Sequence, residues 1–327
     1  MKLLKTLLLA AAVGALPLLP ALSAAHAQTF PTKPISLIIP FPPGGPTDAM
    51  ARTLAAEIKD ALGQPVIVEN RAGAGGNIGA DFVARAPADG HTLLFGTSGP
   101  LAINSSLYRK ISYDPVTSFT PVIQVGHLPN ILVVNPSVPA KDIKELLQLI
   151  RDNPGKYSFA GPGVGSTPHL AGEQFRLVFN LDLVHVPFTG AGPAIQSTIG
   201  GHTPIAFTAL PPALAAVKDG KLRMLGVATP QRAASVPEVA TFAEQGITDQ
   251  DSDTLTGLVA PAGTPKEVVE LLQKEIAKAI AQPDVREKLA TLGFVPVANK
   301  PEEFGARIKS EIEKWGKVVR DAKLKVE

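Results

Sequence analysis

Ile35-Ser36-Leu37-Ile38-Ile39-Pro40-Phe41-Pro42-Pro43-Gly44-Gly45-Pro46-Thr47-Asp48-Ala49-Met50-Ala51-Arg52 decides the reading of the fold. Ile35, Leu37, Ile38 and Ile39 make a short apolar strand, the Pro/Gly run is a loop, and the spacing after it is helical. A strand thus delivers a loop to a helix start, where Gly44 and Gly45 let a ligand approach the backbone and Thr47 or Asp48 can cap. The unpaired N–H groups of such a start carry roughly half a positive charge. With no Lys, Arg, Cys or His in the loop, its chemistry is to hold an anion and not to attack one. A plain βα turn has the same local pattern. What separates the two readings is repetition along the chain.

Upstream of this stretch, residues 1–27 read as an export signal. Met1-Lys2-Leu3-Leu4-Lys5 is a positive start, Leu7 to Leu22 is apolar, and Ala25-His26-Ala27 is a small-residue cleavage site. A membrane span needs about 20 apolar residues, whereas this segment is shorter and is broken by Gly14, Pro17 and Pro20. Cleavage after Ala27 leaves 300 residues (327 − 27) and, without Lys2 and Lys5, a formal charge of 0 in place of +2. The expected location is the bacterial periplasm. The absence of cysteine excludes disulfides, thiol nucleophiles and thiolate metal sites. Neutral charge and the lack of a basic run interleaved with aromatics exclude nucleic acid as a partner. A chain of this length with 45% hydrophobic residues has material for two lobes.

Downstream, strand and helix alternate. The helix from Thr47 to Leu62 shows an apolar stripe at Met50, Leu54, Ile58 and Leu62 and stops at Gly63. Val66 to Glu69 is a strand, Asn70 to Gly79 a glycine-rich turn opening a helix, and Thr92 to Phe95 a strand that ends in Gly96-Thr97-Ser98-Gly99-Pro100. A second series follows the apolar run Ile131 to Val134: helix Asp142 to Asp152, strand Tyr157 to Ala160, then Gly161-Pro162-Gly163-Val164-Gly165-Ser166-Thr167-Pro168-His169. In that turn Ser166 or Thr167 can cap and Pro168 suits the first helical position. Strand Leu183 to Val186 leads into Phe188-Thr189-Gly190-Ala191-Gly192-Pro193 and a helix halted at Gly200. Strand Ile205 to Thr208, helix Pro211 to Asp219 and strand Leu222 to Ala228 complete this series, and strand Leu255 to Ala260 precedes three helices opened at Thr264, Pro283 and Lys300.

Repeated βα units predict α/β architecture with mostly parallel sheets. Ligands on such sheets bind beyond the carboxyl ends of the strands. Gly/Ser/Thr-rich helix starts converging from two lobes make a cleft that can neutralise a carboxylate with N–H groups and hydroxyls, without a cationic side chain.

These same residues resemble a known family. Pro40 to Asp48 with Ala51-Arg52, Val68-Glu69-Asn70-Arg71 with Gly73 to Gly79, Asp89-Gly90, Tyr113-Asp114-Pro115, His169-Leu170-Ala171-Gly172-Glu173, His185-Val186-Pro187 and Pro261-Ala262-Gly263-Thr264-Pro265 are similar to the Bug-type solute-binding proteins of tripartite tricarboxylate transporters. The resemblance runs in register from about Phe30 to Lys323. It implies a two-lobe periplasmic binding protein-like fold of type II, with lobe one as residues 28–125 plus 255–327 and lobe two as 126–254, crossed by two hinge strands. It also implies a non-enzymatic, monomeric receptor without cofactor or metal, which hands a small organic carboxylate to membrane permease subunits.

The family's first ligand loop falls on Pro42, Gly44, Gly45, Thr47 and Asp48, its second on Gly163, Gly165, Ser166, Thr167 and His169, and its third on Pro187, Phe188, Thr189 and Gly190. Thr97 and Ser98 occupy another cleft-facing turn. Three positions depart from the family's usual pattern: Phe188-Thr189 in place of Tyr-Lys, Thr208 in place of an acid, and Leu255-Thr256 in place of a Trp-aromatic pair. These bear on the ligand. Without the acid an ammonium lacks a partner, and without the lysine a highly charged anion is disfavoured, which points to an amine-free mono- or dicarboxylate with an aliphatic or aromatic body.

Competing readings fit less well. Gly73, Gly75, Gly76 and Gly79 do not form G-x-G-x-x-G, and no ribose-binding acid ends the strand about 20 residues on. The turn from Gly161 to Thr167 lacks the phosphate-loop lysine, which disfavours a nucleotide-dependent enzyme. Gly96 to Pro100 has proline where a hydrolase elbow needs glycine. His91, His127, His169, His185 and His202 include no i, i+4 pair for a metal. His169 is kept as a hydrogen-bonding group or a support for the loop before it, Asp48 reads as a helix cap, and Arg71 reads as a tie between loops. A sensor docking on a membrane receptor would use the same cleft and is the alternative to transport.

Overall fold

Both ends of the chain build one half of the sheet, and its middle builds the other. The computed structural model describes residues 30–326, so the predicted export signal lies outside the described residues. The first series is β1 (Ile35–Ile39), α1 (Pro46–Leu62), β2 (Val66–Asn70), α2 (Asn77–Ala84), β3 (Thr92–Thr97) and α3 (Asn104–Leu107). A long strand, β4 (Phe119–Val134), leads into the second series. That series is α4 (Ile143–Asp152), β5 (Ser158–Pro162), α5 (Thr167–Val178), β6 (Val184–Phe188), α6 (Ala191–Ile199), β7 (Ile205–Ala209), α7 (Leu210–Lys218) and β8 (Arg223–Val227). The chain then returns as β9 (Asp253–Pro261), α8 (Lys266–Ala281), α9 (Pro283–Thr291), β10 (Val295–Pro296) and α10 (Pro301–Asp321).

The strands run in the order β2-β1-β3-β9-β4-β7-β5-β6, with β8 and β10 also pairing to β4. Within each series the βα strands are parallel, β2 and β3 flanking β1 and β6 and β7 flanking β5. Antiparallel pairing enters only at β4 and β9. β4 belongs to both halves: Phe119 to Pro129 pair with β9, and Asn130 to Val134 pair with β7. This is the α/β architecture the repeated units predicted, with parallel pairing inside each series.

Period-2 alternation along β4 feeds two cores. Leu132 and Val134 join Phe159, Phe175 and Phe207 on one face, while Ile131 and Val133 join Ala206, Leu210 and Met224 on the other. In the half holding β1 and β3, Ile38, Leu94, Val259 and Phe304 are packed together. A fourth cluster, Ile103, Leu107, Leu170, Trp315, Val318 and Val319, brings α3 and α10 against α5. No described helix is long and apolar enough to cross a membrane.

Most predicted elements stand within one or two residues, and the differences have physical reasons. α1 is capped by Gly45 and not by Thr47 or Asp48, because Pro46 needs no N–H partner at the first helical position. α5 is capped by Ser166, whose Oγ accepts from the His169 N–H at 3.3 Å, which puts Pro168 second and not first in the helix. Gly96 and Thr97 belong to β3 because β9 pairs with them, and the turn predicted there begins at Ser98 as helix. Pro187 and Phe188 belong to β6 and not to the turn after it; a proline is tolerated because β6 is an edge strand.

Candidate functional site

A cavity of about 350 Å³ opens where the carboxyl ends of β1, β3, β5 and β7 meet the start of β9. Phe41 and Thr47 line it from the loop after β1, Thr97 and Gly99 from the end of β3, and Thr254 from β9. From the other half come Pro162, Val164, Gly165, Ser166, Thr167 and Pro168 between β5 and α5, and Ala209 at the end of β7. Gly75, Asn104, Leu107 and Tyr108 complete the lining. No lining residue is charged.

Helix starts supply the polarity. Thr47 lies in the first turn of α1, Ser166 is the N-cap of α5 with Thr167 following it, and Ala209 is the N-cap of α7. The first N–H groups of a helix have no acceptor within it; Pro46, Pro168, Pro211 and Pro212 have none to offer and the His169 N–H is taken by Ser166 Oγ, which leaves the N–H groups of Thr47, Thr167 and Leu210 at three helix starts whose positive dipole ends meet at one cavity. Hydroxyls of Thr47, Thr97, Ser166, Thr167 and Thr254 and the Asn104 amide add neutral hydrogen-bonding groups. Thr167 Oγ1 and Thr254 Oγ1 hydrogen-bond to one another across the two halves.

Thr47, Thr97, Gly165, Ser166 and Thr167 are thus brought together as predicted, and other expected residues stand behind them. Asp48 is buried and braces the loop: Oδ2 accepts from the Gly44 N–H at 3.0 Å and from Arg52 Nε at 3.0 Å, and Oδ1 accepts from Asn70 Nδ2 at 2.8 Å. The Arg52 guanidinium, with those other donors, holds its carboxyl down at about 2 against the cost of burial. Ser98 is fully buried, its Oγ accepting from the Leu255 N–H at 3.0 Å. His169 supports the turn as the sequence suggested: Nδ1 accepts from the Gly165 N–H at 3.1 Å, and the ring stacks on His185 with centroids 3.9 Å apart. Burial first, then the charges of His185 and Arg176, push the His169 imidazole down to about 3, and burial pushes His185 down to about 4, so both rings are neutral.

Other expected contacts lie outside the lining. Pro42 and Gly44 are exposed at the loop tip, and Gly45 and Gly163 are half-buried beside the cavity. Pro187 and Thr189 are exposed, Phe188 packs on the core that holds Ile131 and Leu210, and Gly190 caps α6, because edge strand β6 carries this turn away from the cavity. Thr208 is fully buried on β7, one residue short of the cavity. Arg71 ties to Glu69 at 3.3 Å and lies over the Phe82 ring at 3.6 Å. Among the described residues no cluster of three His, Asp or Glu could hold a metal.

Sequence reasoning missed Asn104, Leu107, Tyr108, Ala209 and Thr254. Asn104 Nδ2 donates to Gly75 O at 3.0 Å and to Asn77 Oδ1 at 2.7 Å, which fixes the glycine turn to α3. The i, i+4 pair Ile103 and Leu107 was a usable signal for this helical run.

Residues 50–324 match the tripartite tricarboxylate transporter family receptor, TctC. The chain belongs to that family. The TctC chain is 39% identical over 302 residues to protein BugT of Bordetella pertussis, covering 91% of this chain and 93% of BugT. The R. palustris protein Rpa4515, solved with adipate, superposes with a TM-score of 0.80 at 33% identity, over 91% of this chain and all of that one. MatC from Rhodopseudomonas palustris, solved with bound malate, gives 0.76 at 33% identity, over 89% of this chain and all of that one. TctC proteins are receptors and not enzymes, and this chain is a solute-binding protein.

Proposed function

We propose that this chain is an exported periplasmic receptor which closes two lobes, residues 28–125 plus 255–327 and residues 126–254, on an amine-free mono- or dicarboxylate and delivers it to the permease subunits of a tripartite tricarboxylate-type transporter. The observation that carries this reading is the uncharged cavity on which three helix starts converge. A carboxylate there accepts hydrogen bonds from N–H groups and hydroxyls, each charge-assisted bond contributing about 1.5–3 kcal/mol. Adipate and malate in the related structures are of this class. An amino acid is disfavoured, because the cavity has no carboxylate for its ammonium and the nearest acid, Asp48, is engaged by Arg52, Asn70 and Gly44.

A thermal-shift screen on purified, ligand-stripped chain tests the reading. Adipate or malate is expected to raise the melting temperature by several degrees, since ligand at 100 times its Kd adds about 2.7 kcal/mol. Glutamate, aspartate and ATP are expected to leave it unchanged. Stabilisation by glutamate with none by any amine-free acid would overturn the ligand class, and stabilisation by ATP alone would overturn the receptor reading. Thr167→Val should weaken binding of the stabilising acid about tenfold, as befits one hydroxyl donor, whereas Arg71→Ala should not; the reverse pattern in calorimetry would put a side-chain cation in place of the helix starts.

A further inference from the structure

Leu107, at the end of α3, and Gly165, in the turn before α5, lie 58 positions apart (165 − 107) and meet in the wall of the cavity. Gly165 has a left-handed φ of +83°, and a Cβ placed on it would overlap Leu107 Cδ2. Gly163, two residues earlier and equally left-handed at +76°, has nothing closer to such a Cβ than Phe188 O at 3.9 Å. Backbone conformation alone therefore accounts for Gly163, while Gly165 is also a notch shaped for one side chain. Leu107 has no freedom to swing out of it: it is 1% exposed and packs with Ile103, Leu170 and Trp315. The last residues of the chain strap its segment down, Val326 N–H donating to Leu107 O at 2.9 Å and Arg109 N–H donating to Val326 O at 3.1 Å.

We propose that Leu107 is a specificity-determining residue: seated in the Gly165 notch, its isobutyl group joins the two cavity walls and limits the length of ligand body the cavity accepts. This rests on the carboxylate reading above. A body that extends toward the notch meets a side chain fixed from behind by the Trp315 cluster, so an extra methylene cannot be accommodated by repacking. Removing the branched end of Leu107 opens that space without touching the helix starts that hold the carboxylate.

Melting and binding of Leu107→Ala, Gly165→Ala and the double variant test this. Without ligand, Gly165→Ala is expected to lower the melting temperature most, and the double variant to lose clearly less than the sum of the two single losses, because the added methyl then has room and only the left-handed strain at position 165 remains. Additive shifts would overturn the notch. If Gly165→Ala does not accumulate as folded protein, folded recovery in the double variant supports the contact and failure to recover overturns it. Calorimetry with straight-chain α,ω-dicarboxylates of four to ten carbons is expected to show Leu107→Ala favouring acids about two or three carbons longer than the parent does, with the long-to-short affinity ratio raised about tenfold or more. Equal weakening at every length would overturn the specificity role. If the parent binds none of these acids the length-limiting role fails, while the ligand-free melting comparison still decides the notch.

Discussion

Lowering the pH from 7.5 to 5 is expected to take about 2–4 kcal/mol from the stability of this fold, before its paired carboxylates begin to protonate. The stacked rings of His169, which is buried, and His185, which is half-buried, are the cause. Their folded values of about 3 and about 4 lie below the ordinary 6.5, so the unfolded chain binds protons that the folded chain refuses. The stability they contribute is complete above about 6.5 and is lost as pH falls toward the folded values. At 1.36 kcal/mol per pH unit, the 1.5 units from 6.5 to 5 amount to about 2 kcal/mol for the buried His169 ring, and less for half-buried His185, which solvent screens. Glu311 works in the opposite sense, since burial pushes its carboxyl up and makes the folded chain the better proton acceptor there. Asp48, held at about 2, gives up its contribution only below about 3.8. Urea midpoints at pH 7.5 and 5 measure the loss, and His185→Asn should reduce it by less than half, the buried His169 carrying the larger share. Equal midpoints would show that these rings are not buried as described.

Trp315→Ala is the substitution expected to cost most, about 3–5 kcal/mol and on the order of 10 °C in melting temperature. The indole is fully buried in the cluster that joins α3, α5 and α10, and its Nε1 donates to Glu311 Oε2 at 2.6 Å. Truncation leaves a cavity behind Leu107 and removes a donor from a buried carboxylate, which Arg307 still holds at 3.0 Å. Trp315→Phe keeps most of the volume and loses only the hydrogen bond, so it should cost about 1–3 kcal/mol. Chemical denaturation compares the two; a loss under 1 kcal/mol for the alanine variant would mean that the cluster does not hold the halves together.

Chemistry local to one stretch was legible. The strand–turn–helix pattern pointed to Thr47, Ser166 and Thr167, because a helix start and the strand before it lie within a few residues of each other, while Thr97 and Gly165 came in with the family resemblance. Nothing local distinguishes the turn at Phe188-Thr189 from the one at Ser166-Thr167; strand order does, since β6 ends the sheet while β5 lies inside it. Thr254 and Leu107 reach the cavity only through pairings made far along the chain, β9 with β3 and Leu107 with Val326. Gly165 read only as part of a glycine-rich turn and ligand loop, and its contact with Leu107 depends on a leucine that no spacing rule connects to it.

The place of β9 between β3 and β4 also bears on how the chain folds. Leu94 pairs with Val259, 165 positions later (259 − 94), so the half of the sheet begun by β1 and β3 waits for a strand made near the end of synthesis. Closing a loop of that size costs about 4–5 kcal/mol of chain entropy before the strand pairing returns anything. Contacts so distant in sequence make for slow folding. The sheet that carries the ligand cavity therefore cannot close until β9 has been made, however early the strands beside it are complete.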